Sequence, residues 1–313
     1  MGQQVAYRLL LSIPVLCGVV IFGFLLIKLT PGDPAMVIAG PSATPDVVER
    51  IRIEMGLDQP AWVQFSKYVG RLAHGDLGRS MINNTSVAAE LLSAVAATAE
   101  LMFACLIWAV PVGIAMGTVA AVNQRGLIDR GIMALSVAGV SMPVFFIGLL
   151  LLQFVGYKWQ LLPFLGRGGP LWTSDGLAHA VLPALTLGLV FLGPVARMTR
   201  ASVLDVLKAD YVRTARAKGL REPAVIIHHA LRNALIPIVT LVGLQAGYLL
   251  GGAVVTESIY SWPGVGRLAV GAILASDLPL AQGAILVLAL SFVAINLIVD
   301  VLYGLLDPRV NRS

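Results

Sequence analysis

The sequence predicts an all-α polytopic membrane protein with a helical external insert after its first helix. Three observations carry that prediction. Apolar residues make up 58% of the chain against 12% charged, and the mean hydropathy is +0.85, well outside the range of soluble domains. Six stretches run uncharged for long enough to cross a hydrocarbon core, which takes about 20 helical residues at roughly 1.5 Å each. The Lys and Arg residues between those stretches fall mainly on alternate loops, as a chain threaded back and forth through a bilayer requires.

The first stretch, residues 9–27, follows Arg8 and resembles a secretory leader, but its 19 uncharged residues exceed a usual leader core and no A-x-A site precedes Thr30-Pro31-Gly32. It reads as a retained anchor. The Met1-Gly2 start does not make a myristoylation site, because residue 6 is Ala. Residues 28–100 form the soluble insert and read as two amphipathic helices. The first takes Thr44 as N-cap and Pro45 as its opening residue, sets Val48, Ile51 and Met55 on one face and stops at Gly56. The second starts after Asp58-Gln59-Pro60 and lines up Trp62, Phe65, Tyr68, Val69 and Leu72 before Gly75. That stripe suits a membrane interface or a partner surface, and equally packing on its own neighbours.

The remaining stretches are 101–124, 131–157, 176–196, 233–256 and 278–299. Gly113 and Gly117 in the second stretch, and Gly243, Gly247 and Gly251 in the fifth, recur every four residues and offer flat faces for close helix packing. Glu100 reads as an anion at a helix start, Lys28 as a snorkelling cation, and Asp300 as a hydrogen-bonding group one turn after Asn296. Cys17 and Cys105 lie within spans, which makes them packing residues and implies no disulfide framework. His74, His179, His228 and His229 have no metal-ligand spacing.

Thirteen Lys/Arg sit at Arg8, Arg125, Arg130, across 197–232 and at Arg309 and Arg312, against three on the alternate side, Lys158, Arg167 and Arg267, once the long insert is set aside. Both termini are therefore expected in the cytoplasm. The formal charge of +5 is an orientation signal, and no nucleic-acid binding is implied.

The 197–232 loop carries 8 Lys/Arg against 3 Asp/Glu. Residues 203–218 are helix-compatible, with Val203, Leu207 and Tyr211 apolar on one side. Arg213, Arg216 and Lys218 come close together before Gly219 breaks the helix, and Pro223 opens the next one. The physical alternatives are a protruding helical knob and an ordinary positive-inside loop.

The run Ala209-Asp-Tyr-Val-Arg-Thr-Ala-Arg-Ala-Lys-Gly219 resembles the EAA loop of binding-protein-dependent ABC importer permeases, with Ala215 and Gly219 at its alanine and glycine positions. Arg213 and Thr214 stand where the general signature has Glu and Ala, which matches the peptide-transport branch. Thr30-Pro-Gly-Asp-Pro-Ala35, Gly56-Leu-Asp-Gln-Pro60, Gly75-Asp-Leu-Gly-Arg-Ser80, Ser261-Trp-Pro-Gly-Val-Gly-Arg267 and Leu306-Asp-Pro-Arg309 are similar to the dipeptide/oligopeptide/nickel permease family, in the same order.

The resemblance implies the type I importer permease fold with six transmembrane helices, set in an inner membrane. It implies a heterodimer with a second homologous permease, two ATPase subunits docked on the 210–219 segment, and an external substrate-binding protein. Peptide is the implied cargo, with glutathione and nickel complexes as alternatives. It divides the chain into an anchor and insert at 1–94, a permease core at 95–306 and a cytoplasmic tail at 307–313. No Gly-Lys-Ser/Thr phosphate loop occurs, so the chain carries no cofactor of its own and ATP with Mg is expected on the partners. Ser141, Gln245 and Tyr248 are candidates to line the path or, alternatively, to bond between helices. A secondary transporter or an intramembrane enzyme would require ionisable or nucleophilic groups at depth, and that signature is lacking in the spans.

Overall fold

In lipid every backbone polar group must be satisfied by the protein, which leaves helices and closed barrels, and apolar stretches of about 20 residues select helices. The computed structural model describes residues 2–29, 33–40, 42–54 and 56–306. Met1, residues 30–32 of the first motif, Pro41, Met55 and residues 307–313 lie outside the described residues, as do the side chains of Arg8 and Asp300. Among the described residues, the regular structure is helical apart from an isolated bridge between Arg79 and Ser86. The chain divides into two compact units, one built mainly of Ala99–Trp262 and one of Ala6–Thr98 with Pro263–Val293.

The smaller unit takes most of α1 (Gly2–Leu29), the insert helices α2 (Pro34–Ala39), α3 (Pro45–Glu54) and α4 (Ala61–Ala73), and the first turns of α5 (Val87–Val122). It also takes α12 (Val265–Leu274) and most of α13 (Leu278–Leu306). The insert thus holds one helix more than its periodicity suggests. Asp33 caps α2 by accepting from the Ala35 N–H at 3.0 Å and pairs with Arg52 of α3. The Arg52 guanidinium holds the Asp33 carboxyl below its ordinary value of 3.8. A depressed carboxyl stabilises the fold above that value, so the clasp is present at neutral pH and weakens as pH falls through the lowered value. The aromatic stripe of α4 splits between its two readings. Phe65 meets Phe24 of α1 edge-on at 5.1 Å and Tyr68 stacks on the same ring at 6.2 Å, whereas Trp62 is 73% exposed.

The core of this unit sets Val87, Leu91 and Ala94 of α5 against Ala269 and Ala272 of α12 and Leu280, Ala281 and Ala284 of α13. Asp277, buried at the head of α13, accepts from the Ser80 hydroxyl and from the Met81 N–H at 3.1 Å, tying the end of the insert to that helix.

The larger unit is organised on α8 (Ser174–Leu207). Around it stand the rest of α5, α6 (Leu127–Ser141), α7 (Val144–Leu151), which continues as a wide π turn over Leu152–Lys158, and α11 (Arg232–Ile259). A Cβ on Gly117 would fall 2.4 Å from the Ala196 carbonyl oxygen, and one on Gly113 would fall 2.8 Å from Val195 Cγ1. On α8 itself, a Cβ on Gly193 would lie 2.4 Å from the Ser136 carbonyl oxygen of α6. These helices meet nearly backbone to backbone, as small-residue packing in membranes favours. Gly243 of α11 similarly faces Val299 of α13, at 2.2 Å from a built Cβ. Gly247 is buried, but Gly251 is exposed and a Cβ there meets nothing within 4 Å.

One span differs from its sequence reading. The stretch 131–157 is not one helix: α6 and the α7 segment meet at a bend of 100°. Pro143 has no N–H to give and pushes the preceding residue out of the helical region, and Met142 is extended at φ −83°, ψ 129°. Among the described residues, four helices are long and apolar enough to cross a membrane, or five if the bent pair counts as one span. In α1 the described apolar part is the shorter Leu10–Leu25.

We expect Gly117→Ala to destabilise the protein by roughly 1–3 kcal/mol through overpacking against α8, and Gly251→Ala to leave stability unchanged or slightly raised. Thermal unfolding of the detergent-purified chain, followed by size exclusion, distinguishes the two.

Candidate functional site

The basic loop is a small folded object. α8 closes with the Lys208 N–H on the Asp205 carbonyl at 3.2 Å and the Ala209 N–H on the Val206 carbonyl at 3.0 Å. Ala209 is extended at ψ 146°, and α9 (Asp210–Ala217) starts there. The helix-compatible stretch 203–218 is therefore broken at residues 208–209. The break turns Val212 and Ala215 inward, where they pack with Val225 and with Val206, Leu207 and Ala209. Val203 is buried as its periodicity suggests, but Tyr211 is 45% exposed and faces away from that cluster.

Gly219 ends α9 at φ +79°, a left-handed conformation that glycine adopts without strain, and its N–H bonds the Arg216 carbonyl at 2.9 Å. Across this turn Arg216 reaches back to Glu222, with Nη2 to Oε1 at 2.8 Å and Nε to Oε1 at 2.9 Å. Glu222 opens α10 (Glu222–Ala224), and the chain continues through a wide π turn over Val225–Leu231 into α11, so one helical path of 38 residues leads from the loop into the bundle. The outer face of α9 presents Asp210, Tyr211, Arg213, Thr214 and Lys218. Arg213 lies 3.7 Å from Asp210, and the Thr214 hydroxyl donates to the Asp210 carbonyl at 3.0 Å.

At the foot of the same assembly is a feature that the spacing of residues does not reveal. Asp129, 3% exposed in the first turn of α6, accepts from Arg200 Nε at 2.5 Å and Nη2 at 2.7 Å, and from the Arg125 N–H at 2.9 Å. Arg200 stands two turns before the end of α8, so this pair fastens α6 to the stem of the α9 hairpin. Asp129 is buried while Arg200 is partly exposed, so removing Arg200 leaves a carboxylate without its partner and destabilises the protein. Glu257, on the last turn of α11, is fully buried and was also missed, because the uncharged stretch ends one residue before it.

The three candidate path residues are not drawn together into a pocket by any described contact. Ser141 is exposed and its hydroxyl donates to the Val137 carbonyl at 2.9 Å; Gln245 is half-buried; Tyr248 is 77% exposed on α11. No group of three or more His, Cys, Asp or Glu with metal-binding geometry occurs among the described residues.

Residues 109–312 match the family described as the binding-protein-dependent transport system inner membrane component, and residues 1–117 match the N-terminal domain of such membrane components. The chain belongs to this family. The glutathione transport system permease protein GsiC of Escherichia coli strain CFT073 is 45% identical over 310 residues, covering 99% of each chain. The GsiC of strain K12 is 44% identical over the same length and coverage, and the dipeptide transport system permease protein DppB of K12 is 41% identical over 338 residues, covering all of both. As a binding-protein-dependent permease, the chain is a multi-pass inner-membrane subunit of an ABC importer and is not itself a catalyst.

Because Ala215 faces its own hairpin, Ala215→Glu should disrupt the loop from within by burying a carboxylate, and we expect tryptic cleavage between residues 208 and 221 to accelerate at least tenfold. Arg216→Ala removes an exposed pair worth about 1 kcal/mol or less and should change cleavage only a few-fold. Limited proteolysis of the purified protein, read by mass spectrometry, checks the order.

Proposed function

We propose that the chain is one half of a heterodimeric permease that moves dipeptides, oligopeptides or glutathione from an external binding protein into the cytoplasm, driven by ATP and Mg bound on two partner ATPase subunits. The single observation that carries this reading is the construction of α9. Its apolar face is consumed by its own hairpin, and its outer face is polar, basic and exposed. Such a knob is built to be gripped by another protein.

On this reading Asp210, Tyr211, Arg213, Thr214, Arg216 and Lys218 meet an ATPase groove, while Ala215 and Gly219 shape the knob. Six spans, with α1 and the bent α6–α7 pair among them, put both termini in the cytoplasm, in keeping with thirteen inner basic residues against three in the short outer loops. Residues 28–100 then lie outside, toward the binding protein. Residues 1–94 form anchor and insert, 95–306 the permease core and 307–313 the tail. Peptide and glutathione are preferred as cargo because full-length relatives at 41–45% identity are named for them. ATP-driven closure of the ATPase pair moves α9 and through it α8 and α11. Cargo-loaded binding protein and ATP must favour the same state, and their coupling is then reciprocal.

Tyr211→Ala combined with Arg213→Glu leaves the buried face of α9 intact. We expect it to cut co-purification of the ATPase subunits and uptake into reconstituted vesicles by at least tenfold, with the proteolysis pattern of the loop unchanged. Full uptake with ATPases retained would rule out this face as the docking surface.

A further inference from the structure

We propose that Glu100 and Arg167 form a cargo site, the carboxylate taking the ammonium and the guanidinium taking the carboxylate of a peptide zwitterion. The proposal rests on the peptide or glutathione reading above and gives it a place in the chain.

Glu100 is not at a helix start. α5 begins at Val87, thirteen residues earlier, too far for the helix terminus to stabilise a charge, since that effect fades within the first turn. The residue stands at the rim of the uncharged stretch 101–124. What it has in place of a helix end is Arg167, whose Nη2 lies 2.8 Å from Oε1. An ionisable group at the edge of a span, held by a named partner, is by default a functional group in a membrane protein.

Arg167 is brought there by a fixed scaffold. The N–H of the preceding Gly166 donates to the Tyr260 carbonyl at 2.7 Å. Tyr260 is itself buried, its hydroxyl donating to the Gly148 carbonyl at 2.9 Å and lying 2.9 Å from Thr186 Oγ1. The loop residue is thus anchored through three helices, which is how a binding group is held in place before its ligand arrives.

The pair nevertheless uses half of its capacity. Arg and carboxylate ordinarily meet in a two-bond fork, but this pair makes a single close contact. Glu100 Oε2 and Arg167 Nε are both buried without a hydrogen-bond partner, and among the described residues the third such side-chain atom is Thr199 Oγ1. The side chains are 19% and 23% exposed, so bulk water reaches them poorly. A desolvated acceptor and a desolvated donor left over side by side are costly, and an apolar pair would stabilise the bundle better. Their chemistry fits a molecule carrying one spare donor and one spare acceptor of opposite charge. Dipeptides and glutathione both carry an α-ammonium and a free carboxylate. Such a ligand inserts between the two groups with charge balanced at each stage, so neither is left alone at the mouth of an apolar span.

The test uses the whole transporter, reconstituted in vesicles with loaded binding protein, and the labelled probes alanyl-alanine and glutathione. Glu100→Gln and Arg167→Gln singly leave a lone charge and should lower thermal stability. Glu100→Gln combined with Arg167→Gln removes both charges and should recover wild-type stability while uptake stays at least tenfold reduced. A merely structural pair predicts recovery of both, so wild-type uptake by the double variant overturns the site. Should the double variant fail to assemble, Arg167→Lys decides: it keeps the ion pair, so wild-type uptake overturns the proposal, and a several-fold fall in maximal rate at normal stability supports it. If the wild-type complex takes up neither probe, the cargo reading fails and the site fails with it.

Discussion

Close approach of helix backbones to α8 is the constraint on which the larger unit depends. In lipid the apolar effect that packs soluble helices is absent, and association must come from contact and interhelical hydrogen bonds. Gly113 and Gly117 on α5 and Gly193 on α8 each sit where a Cβ would collide with a neighbouring helix, so the contacts are set by missing side chains. Gly188 works in reverse: a Cβ there would lie 2.2 Å from Trp108, whose indole N–H donates to the Ala184 carbonyl at 3.2 Å. The small residue makes room for a large one, and the large one supplies the polar bond.

This packing makes α8 a rod whose two ends are treated differently. Its first turn is capped by the Thr173 hydroxyl, which accepts from the Gly176 N–H at 3.1 Å. Near its other end Arg200 grips Asp129, and beyond that the chain breaks at Ala209 into the α9 hairpin. A displacement of α9 therefore enters the bundle along two routes, back through α8 and forward through the continuous path into α11. The clamp on α6 means that the first route cannot be taken up by local slack at residues 123–130.

Much of this was legible in sequence, and the failures have physical causes. Uncharged length identified the four long apolar helices, and Gly219 and Pro223 marked the turn of the hairpin. Met142-Pro143 also carried a legible signal, since a residue before proline leaves the helical region, but uninterrupted hydropathy masked it. Ala215 was placed on the family motif but not on its inward face, because the break at Ala209 rotates α9 relative to the periodicity of α8. The pairs Asp129–Arg200, Glu100–Arg167 and Ser80–Asp277 lie 71, 67 and 197 residues apart and leave no trace in local pattern. α12 was invisible because ten residues, Arg267 among them, are too few to stand out beside a span.

The hairpin must also be strong enough for the role proposed for it. A coupling element between two conformations must stay folded while its partners move it. Val212 and Val225 are fully buried in the hairpin, and full burial of a valine stabilises by roughly 1.5–3 kcal/mol. Ala215 and the Arg216–Glu222 pair add to that packing, which offsets the entropy of ordering the hairpin. An unfolded positive loop would lack that reserve and would yield before the bundle moved. On the proposed docking, the inward turn of Val212 and Ala215 is what would let the hairpin act as a lever, since charge alone attracts a partner but does not transmit its work.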